Sequence, residues 1–379
     1  MKIAFNATAL LSPLTGIGQY AYELATRMAA DPEHEAEFFY AVAWSKEVRH
    51  EPLPVAPGRL FPWVRRFLPN SYAVSRWAQG HYFRRRTKER HFDVYHEPNF
   101  LAYPFDGPLV TTVHDLSWIR FPEAHPAERV AAMDRFFEPG LRRSTLVLTD
   151  SEFVKREVIE VFGIDPARIV PIPLGVGAHF RPANAPETAG LMARQGLTHG
   201  RYLLCVGTLE PRKNLITALR AHAALDAATR AAFPLVLAGI KGWRTEALEK
   251  ELAPRVEAGE VKLTGYLSRD DLALLTAGAT ALVYPSIYEG FGLPPLEAMA
   301  CGVPPITSNA ASLPEVVGDA GMVVEPHDQA GLRDCMARVI EDTALREELS
   351  ARSLARSKTF SWDACYAATV AAYRRAAKA

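Results

Sequence analysis

The chain has 379 residues, 49% of them hydrophobic, and its 43 Lys and Arg residues balance its 43 Asp and Glu residues. This length predicts two or three domains, because an average domain takes roughly 150 residues. The balanced charge argues against a nucleic-acid-binding protein, which would carry a basic surface. The four cysteines form no CxxC pair and have no histidine spacing that suits zinc, which is typical of free thiols in a reducing compartment.

The first residues, MKIAFNATALLSPLTGIG, begin as an apolar run that polar residues soon interrupt. No run in the sequence approaches the roughly 18 apolar residues of a membrane-spanning helix. We therefore expect a soluble protein of the cytoplasm.

Short apolar runs alternate with helical patterns along the whole chain. In the first half, the strand-like runs are KIAFNAT, EFFYAVAW, DVYHEP, LVTTVHD, TLVLTD and RIVPIPL, and helical stretches such as QYAYELATRMAA lie between them. In the second half, they are RYLLCVG, FPLVLAGI, VKLTGYL, TALVYPS, VPPITS and GMVVEP. This alternation predicts an α/β protein with two doubly wound parallel sheets and helices on both faces of each sheet.

The boundary between the two halves is marked by composition. Residues 181–200 are rich in Pro, Ala and Gly and show no strand period, so they are predicted to form a linker. This linker would separate an N-terminal domain of residues 1–180 from a C-terminal domain of residues 201–360. A helix over residues 361–379 could pack back on the N-terminal domain, although the sequence does not say which half it contacts.

Unusual residues follow several predicted strands, where open parallel sheets bind their ligands. Gly16 and Gly18 come directly before a helix, where glycine lets backbone amides approach an anion, although a plain tight turn explains them as well. After RYLLCVG, Arg212 and Lys213 stand where a strand gives way to a helix. Cations oppose the helix dipole at that position, which favours a phosphate-binding role over a solvated pair.

The segment YEGFGLPPLEAMACG places Glu289 in a loop and Glu297 in the helix that follows. Pro294 and Pro295 suit the first turn of that helix. An ionised carboxylate only accepts hydrogen bonds, so the two glutamates match the hydroxyl groups of a polyol, unless they are ordinary helix-start residues. The glycines on either side of Phe291 leave backbone amides near it able to donate to a phosphate.

These segments together resemble a known family. GTLEPRKNL, followed about eighty residues later by E-x7-E in the form EGFGLPPLE, is similar to the donor domain of the retaining glycosyltransferases of family 4. The likeness extends over nearly the whole chain through GIGQY, TVHDLSW, TDSEFVKREV and ASLPEVVGDAG. It implies the GT-B fold, in which two Rossmann-like domains face a central cleft. The N-terminal domain would bind the acceptor and the C-terminal domain the nucleotide-sugar donor.

The resemblance also implies roles for the matching residues. Glu297 would hold the ribose of the donor, Glu289 would contact the hydroxyls of the transferred sugar, and His114 would lie beside that sugar. Arg212 and Lys213 would neutralise the diphosphate. Donor binding would further involve Tyr266 and Leu267, which would hold the base, and Gly16, Gly18, Gly207, Thr208, Phe291, Gly292 and Leu293.

The sequence departs from the family in one place. Many members have Gly-Arg where this chain has Gly207 and Thr208, and Arg212 would take over the missing charge. There is no DxD motif, and the pair Asp270 and Asp271 is typical of a helix start. Preorganised cations and amides can stabilise a leaving diphosphate, so the reaction is predicted to need neither a metal nor another cofactor.

The function implied by the resemblance is therefore retaining transfer of a hexose. The phosphate loop LEPRKNL is similar to that of bacterial mannosyltransferases, which favours GDP-mannose as the donor, with a UDP-sugar as the alternative. The acceptor would be a glycan or a lipid-diphosphate-linked oligosaccharide in the synthesis of a cell-surface polysaccharide such as lipopolysaccharide. A nucleotide-sugar epimerase of the same fold and a non-catalytic nucleotide-sugar binder remain as other hypotheses.

Residues 61–90 carry eight Lys and Arg residues against one acidic residue. Aromatic side chains are interleaved with them, among them Trp63, Phe67, Trp77 and Phe83. This mixture suits peripheral contact with an anionic membrane, here the inner face of the cytoplasmic membrane. A solvated helix with its aromatic residues in the core explains the pattern equally well.

Overall fold

The computed structural model describes residues 1–12, 14, 16–50, 71–242 and 245–379, and for residues 71–75 it describes the backbone only. The chain forms two compact units. The first unit comprises Met1–Leu116, Pro126–Leu174 and Trp362–Ala379, and the second comprises Ser117–His125 and Gly175–Ser361.

The helices of the described residues alternate with strands, as the sequence predicts. In chain order they are α1 (Gly16–Ala30), α2 (Ser71–Arg90), α3 (Ser117–Arg120), α4 (Ala127–Arg143), α5 (Glu152–Phe162), α6 (Ala185–Gln195), α7 (Leu215–Ala223), α8 (Ala227–Ala232), α9 (Glu246–Glu257), α10 (Arg269–Ala277), α11 (Leu293–Ala300), α12 (Leu313–Val317), α13 (Gln329–Glu341), α14 (Thr343–Ser357) and α15 (Trp362–Ala376). Within the described ranges, no helix is both long and apolar enough to span a membrane.

The first unit is built on a sheet that is parallel except at one edge strand. Its described strands are β1 (Lys2–Asn6), β2 (Glu35–Tyr40), β3 (Ala43–Ser45), β4 (Val94–Glu97), β5 (Leu109–Val113), β6 (Leu146–Thr149) and β7 (Ile169–Pro171). The strand order is β3-β2-β1-β4-β5-β6-β7. The run EFFYAVAW was predicted as one strand, but it forms a hairpin in which β3 is antiparallel to β2. Ala41 has a φ of +59° between them, and this left-handed residue turns the chain back.

The C-terminal helix belongs to the first unit. Tyr373 of α15 is fully buried, and its hydroxyl lies 2.5 Å from Nδ1 of His96 in β4. At the other end of α15, Asp363 accepts a hydrogen bond of 2.7 Å from Arg27 in α1. A buried polar contact and a surface ion pair therefore fix α15 on this unit.

The second unit is built on an all-parallel sheet. Its described strands are β8 (Leu203–Val206), β9 (Leu235–Ala238), β10 (Val261–Gly265), β11 (Ala281–Tyr284), β12 (Pro305–Ser308) and β13 (Met322–Val324). The order is β10-β9-β8-β11-β12-β13. Leu204 and Val236 belong to one hydrophobic core, whereas Leu203 and Leu235 belong to another. Because helices cover both faces of the central strands, those strands are apolar throughout.

The segment predicted as a linker, residues 181–200, contains α6. Asn184 and Glu187 form a reciprocal capping box at the start of this helix. Leu191 and Met192 are buried in a core cluster of the second unit. The predicted boundary therefore differs from the structure, because burial of this helix makes the segment part of the second unit.

The basic segment is described in part. Trp63 and Phe67 lie outside the described residues. In α2, Phe83 is fully buried and its ring centroid lies 4.5 Å from that of Tyr95. Trp77 is 72% exposed. Phe83 is therefore a core residue, as expected of a solvated helix with buried aromatic residues, whereas Trp77 lies at the surface.

Each sheet has a point where its strand order reverses. In the first unit this point lies between β1 and β4, and in the second between β8 and β11. Open parallel sheets bind ligands outside the carboxyl ends of the strands at such a switch point. The topology thus marks one place in each unit where a ligand site is expected.

Candidate functional site

In the second unit, the switch point is formed by the chain after β8 and the chain after β11. Gly207 follows β8 with a φ of +140°, a value that favours glycine. A Cβ on Gly239, which follows β9, would overlap the carbonyl group of Gly207. The chain then passes through a short 3-10 helix, Pro211–Lys213, that carries the two cations predicted from the sequence.

Glu289, in the loop after β11, lies between these two cations. Its Oε2 accepts a hydrogen bond of 2.9 Å from Arg212, and its Oε1 accepts one of 2.6 Å from Lys213. The hydroxyl of Tyr284, at the end of β11, accepts from Lys213 at 2.8 Å and donates to Oε1 of Glu289 at 2.9 Å. On its other side, Arg212 donates to Glu210 at 2.8 Å. Two acids and two bases thus form one cluster with no net charge.

Burial and charge act in opposite directions in this cluster. Burial favours the protonated form of Glu289, but the charges of Arg212 and Lys213 outweigh burial and lower the pKa of Glu289 to about 2. Burial lowers the pKa of Lys213 despite the charge of Glu289. Since the Glu289 side chain is only 9% exposed and the two cations are 13% and 12% exposed, water screens the cluster weakly.

Backbone contacts fix the loop that carries Glu289. The hydroxyl of Ser312 donates to the carbonyl oxygens of Glu289 and Phe291, at 2.9 and 2.8 Å. Arg212 donates to the carbonyl oxygen of Tyr288 at 2.6 Å. Gly292 has a φ of +114°, and a Cβ there would lie 2.9 Å from Leu313. The loop is therefore held in one conformation where it enters α11.

Glu297 lies in α11 and differs from Glu289 in its surroundings. Its side chain is partly exposed, and no donor in the described part of the chain forms a hydrogen bond with its carboxylate. Burial raises the pKa of Glu297 to about 7, although the charge of Arg269 acts in the opposite direction. A carboxylate with open acceptor positions is suited to hydroxyl donors of a ligand.

His114 follows β5 in the first unit and is 7% exposed. Its Nδ1 lies 2.7 Å from Oδ2 of Asp150, and its Nε2 lies 2.8 Å from the carbonyl oxygen of Pro98. Burial alone would lower the pKa of His114, but the charge of Asp150 outweighs it and the pKa is raised. Both ring nitrogens thus have partners in the fold, and Nε2 donates to a carbonyl group.

Two family models match the chain, one in each half. The model described as Glycosyltransferase Family 4 matches residues 14–179, and the model described as Glycosyl transferases group 1 matches residues 192–356. The chain is also 36% identical over 382 residues to the O-antigen chain mannosyltransferase B of Escherichia coli, a match that covers 99% of this chain and 100% of that protein.

The chain belongs to the family 4 glycosyltransferases.

Solved structures share the GT-B fold of this glycosyltransferase. A sucrose-phosphate synthase from Thermosynechococcus elongatus has a TM-score of 0.77 at 20% identity, with 99% of this chain and 98% of that chain covered. The Anabaena protein HepE, in complex with UDP and glucose, has a TM-score of 0.70 at 18% identity and 98% coverage of both chains. These matches confirm the predicted α/β architecture of two parallel-sheet domains.

Within the second unit, the glycosyltransferase brings several predicted site residues together. Arg212, Lys213 and Glu289 are in direct contact, and a Cβ on Gly207 would lie 3.3 Å from Cε of Lys213. Tyr266 follows β10 and is 60% exposed. The remaining predicted residues of this unit lie after the ends of β8 and β10 or around the start of α11: Thr208, Leu267, Phe291, Gly292, Leu293 and Glu297.

The other predicted residues lie in the first unit. Gly16 begins α1, and Gly18 lines a pocket of that unit beside the end of β1. His114 follows β5, next to Asp150. Gly16, Gly18 and His114 therefore belong to the first unit, whereas the cluster around Glu289 belongs to the second.

Three site residues were missed by the sequence analysis. Glu210 binds Arg212, Tyr284 bridges Lys213 and Glu289, and Ser312 holds the Glu289 loop. Tyr284 had a readable signal, because it is a hydroxyl residue at the carboxyl end of an apolar strand. Ser312 had none, since its role depends on two backbone carbonyl groups more than twenty residues away.

In the parts of the chain that the structure describes, no group of three or more His, Cys, Asp or Glu side chains is arranged to hold a metal ion. The carboxylates of the second unit's site are instead paired with cations. The metal-free reaction stays a prediction.

Proposed function

We propose that this glycosyltransferase is a retaining, metal-independent mannosyltransferase that moves a mannosyl group from GDP-mannose to a glycan or a lipid-linked oligosaccharide in cell-surface polysaccharide synthesis. The observation that carries the proposal is the Arg212, Glu289 and Lys213 cluster at the switch point of the second unit. The similarity over the full chain to a protein named O-antigen chain mannosyltransferase B supports the choice of sugar.

The cluster suits a leaving diphosphate. A lysine ammonium group has three N–H donors, and in the described part of the structure Lys213 uses two of them, for Tyr284 and Glu289. The third can bind a phosphate oxygen. Since Glu210 and Glu289 balance the two cations before the donor binds, a diphosphate would bring the charge that the cations stabilise as the glycosidic bond breaks.

The geometry argues against a covalent intermediate on Glu289. Its carboxylate accepts hydrogen bonds from three donors and has a pKa of about 2, so it is a weak nucleophile. We therefore infer a front-face displacement. The bond from the anomeric carbon to the phosphate oxygen breaks, the bond to the acceptor oxygen forms on the same face, and the acceptor proton passes to the leaving phosphate.

The donor choice has a direct test. We expect the protein to release GDP and form a glycoside when it is given GDP-mannose and a mannoside acceptor in excess EDTA, at least about tenfold faster than with UDP-glucose or UDP-galactose. Faster transfer from a UDP-sugar would show that this sugar nucleotide is the donor and that GDP-mannose is not. Loss of turnover in EDTA that Mg²⁺ or Mn²⁺ restores would refute the metal-free reaction. Donor conversion without transfer would indicate an epimerase, and nucleotide binding without turnover a binding protein.

We also propose that α2 makes peripheral contact with anionic lipid at the cytoplasmic face of the membrane. Trp77 is 72% exposed and stacks on His81, with ring centroids 5.8 Å apart. Among the described residues, Arg84 pairs with Asp106 and Arg86 with Glu89, both acids at the surface, and such pairs contribute little. The four cysteines are free thiols, which supports a cytoplasmic location.

Replacing Arg84, Arg85 and Arg86 with serine is expected to weaken binding to vesicles of anionic lipid by more than tenfold at low salt. Each cation near such a surface contributes about 1 kcal/mol, and added salt screens the attraction. Vesicle co-sedimentation at two salt concentrations measures the effect.

The matched control removes three arginines of similar exposure from the second unit, namely Arg220, Arg333 and Arg352. Equal losses of vesicle binding in the two triple variants would show that total charge decides binding. Unchanged binding by the α2 variant would show that α2 is a solvated helix without membrane contact.

A further inference from the structure

A row of buried polar side chains crosses the core of the first unit. Tyr20 of α1, His96 of β4, Thr112 of β5 and Tyr373 of α15 are each at most 2% exposed. The hydroxyl of Tyr20 lies 2.9 Å from Oγ1 of Thr112, which in turn lies 2.8 Å from Nε2 of His96. On the other side of the ring, Nδ1 of His96 lies 2.5 Å from the hydroxyl of Tyr373. These hydrogen bonds join the C-terminal helix to α1 through two neighbouring strands.

The charge state of His96 gives this polar row a direction. Burial lowers the pKa of His96 to about 3, and the nearby charge of His114 acts in the same sense, so the ring is neutral at pH 7. In a neutral imidazole, one nitrogen donates and the other accepts. One hydroxyl beside His96 must therefore donate to the ring, and the other must accept from it. Because Thr112 passes this choice on to Tyr20, a change at Tyr373 reaches Tyr20.

The far end of the polar row packs against His114. The rings of Tyr20 and His114 meet edge to face, with centroids 5.0 Å apart and an interplanar angle of 81°. The hydroxyl of Tyr20 is bound to Thr112, so the ring cannot move away from His114 without breaking that hydrogen bond. The two nitrogens of His114 are bound to Asp150 and to the carbonyl oxygen of Pro98. Tyr20 therefore supports a ring whose polar atoms are already fixed.

Helix α15 contacts Tyr20 in a second way. Trp362, the first residue of this helix, is 3% exposed, and its ring centroid lies 6.4 Å from that of Tyr20. The helix thus holds Tyr20 both by ring packing and through the polar row that begins at Tyr373. Packing alone would fix the helix, since replacing both partners of a buried hydrogen bond by apolar groups of the same shape can be nearly neutral for stability. Stability therefore does not require four polar groups at this place.

We propose that Tyr20 is a positioning residue for His114, and that the polar row from Tyr373 holds Tyr20 in place. The proposal rests on the proposed glycosyl transfer and on the place beside the transferred sugar that the family resemblance implies for His114. It goes beyond both by giving the C-terminal helix a part in the reaction, although Tyr373 lies 277 positions after His96. Tyr20 acts through His114, because a displacement of about 1 Å beside the reacting atoms can lower a rate about a hundredfold.

Two tyrosines of α15 provide a matched pair of variants. Tyr373→Phe removes one hydroxyl from the polar row and keeps the ring. Tyr366→Phe makes the same change earlier in the helix, where the hydroxyl donates to Asp31 at 2.9 Å and takes no part in the row. Tyr373→Phe is expected to lower kcat for transfer from GDP-mannose about tenfold and to change KM less than about twofold, because a group beside the reacting atoms is misplaced while the donor site is intact. Tyr366→Phe should change both constants less than about twofold.

The NMR signal of His114 tests the positioning without any turnover. In protein labelled with 13C at histidine Cε1, the 11 histidines give separate ring signals, and His114→Gln identifies the signal of His114. Tyr373→Phe is expected to move this signal by more than its linewidth, because the ring of Tyr20 shifts beside it, whereas Tyr366→Phe leaves it in place. If no donor is turned over and the proposed function fails, a moved signal still supports the link from Tyr373 to His114. A signal that stays in place in Tyr373→Phe overturns it.

The middle of the polar row is tested at Thr112. Thr112→Val keeps nearly the same shape but loses the hydrogen bonds to both His96 and Tyr20, whereas Thr112→Ser keeps the hydroxyl. The valine variant should reproduce both effects of Tyr373→Phe, and the serine variant should restore the His114 signal and a kcat within about threefold of the wild type. A valine variant that matches the wild type overturns the proposal. So does a moved signal with unchanged kcat, or a loss of kcat with an unmoved signal, which would indicate a general effect on the fold.

Discussion

Glu289→Ala is expected to destabilise the second unit by about 3–5 kcal/mol and to abolish transfer. The substitution leaves Arg212 and Lys213 buried with one carboxylate, Glu210, for two positive charges. Breaking a buried pair by removing one partner is costly because the remaining charge stays desolvated. The loop also loses the contact through which Tyr284 holds it.

The same cluster sets an acid limit to stability. The pKa of Glu289 is about 2 in the folded chain, below its ordinary value of 4.5. A carboxylate with a lowered folded pKa stabilises the fold above its ordinary pKa, and this contribution is lost as the pH falls from 4.5 toward 2. The stability difference between wild type and Glu289→Ala should therefore be full at pH 7 and shrink below pH 4.5.

Urea unfolding of the wild type and Glu289→Ala at pH 7 and pH 4 measures both effects. Glu348→Ala is the matched control, because it removes an exposed acid that pairs with Arg352 on α14 and should cost less than about 1 kcal/mol. GDP should raise the melting temperature of Glu289→Ala more than that of the wild type, since a diphosphate supplies the missing negative charge. A variant as stable as the control would show that Glu289 does not hold the cluster.

The central strands, such as β8 and β11, could be predicted because they are buried and their sequences are apolar. The hairpin at Ala41 could not, since alanine gives no sign of a left-handed conformation. Helix α6 was missed although its sequence does carry a helix signal. Its capping residues, Asn184 and Glu187, follow a readable pattern, but the Pro, Ala and Gly around them suggested a linker.

The candidate site shows where sequence reasoning stops. Arg212 and Lys213 were singled out for the diphosphate of the donor, and Glu289 for the transferred sugar. Their mutual contact joins residues 76 and 77 positions apart, and only the pairing of β8 with β11 brings them together.

Glu297→Ala is expected to lower the affinity for GDP and the affinity for intact GDP-mannose by a similar factor, about tenfold to one hundredfold. We assign Glu297 to the ribose, which the nucleotide and the donor share. A hydrogen bond to a charged group contributes roughly 1.5–3 kcal/mol, which corresponds to this range of affinity. Glu289→Ala should behave differently, because it should lower the rate of transfer without lowering the affinity for GDP. Calorimetry with both ligands on both variants compares the two glutamates.

The pH dependence of donor binding identifies the group more sharply. Because the pKa of Glu297 is about 7, its carboxylate is only half populated at neutral pH. If the carboxylate accepts from the ribose hydroxyls, binding favours the ionised form, so affinity for GDP-mannose should rise from pH 6 through pH 7 and level off near about pH 8. Intact GDP-mannose is the better probe, since the terminal phosphate of GDP titrates in the same range.

Glu297→Gln keeps the side-chain volume and removes the titration, so its affinity should be lower than that of the wild type and independent of pH over this range. The fold should respond in the opposite sense. A carboxyl group whose folded pKa is raised above 4.5 costs stability as the pH rises from 4.5 through 7, and the glutamine variant should therefore melt higher than the wild type at pH 8. A gain in stability with a loss of binding is expected of a residue retained for function. If the glutamine variant binds the donor as the wild type does, with the same pH profile, the ribose is held elsewhere and Glu297 is a helix residue only.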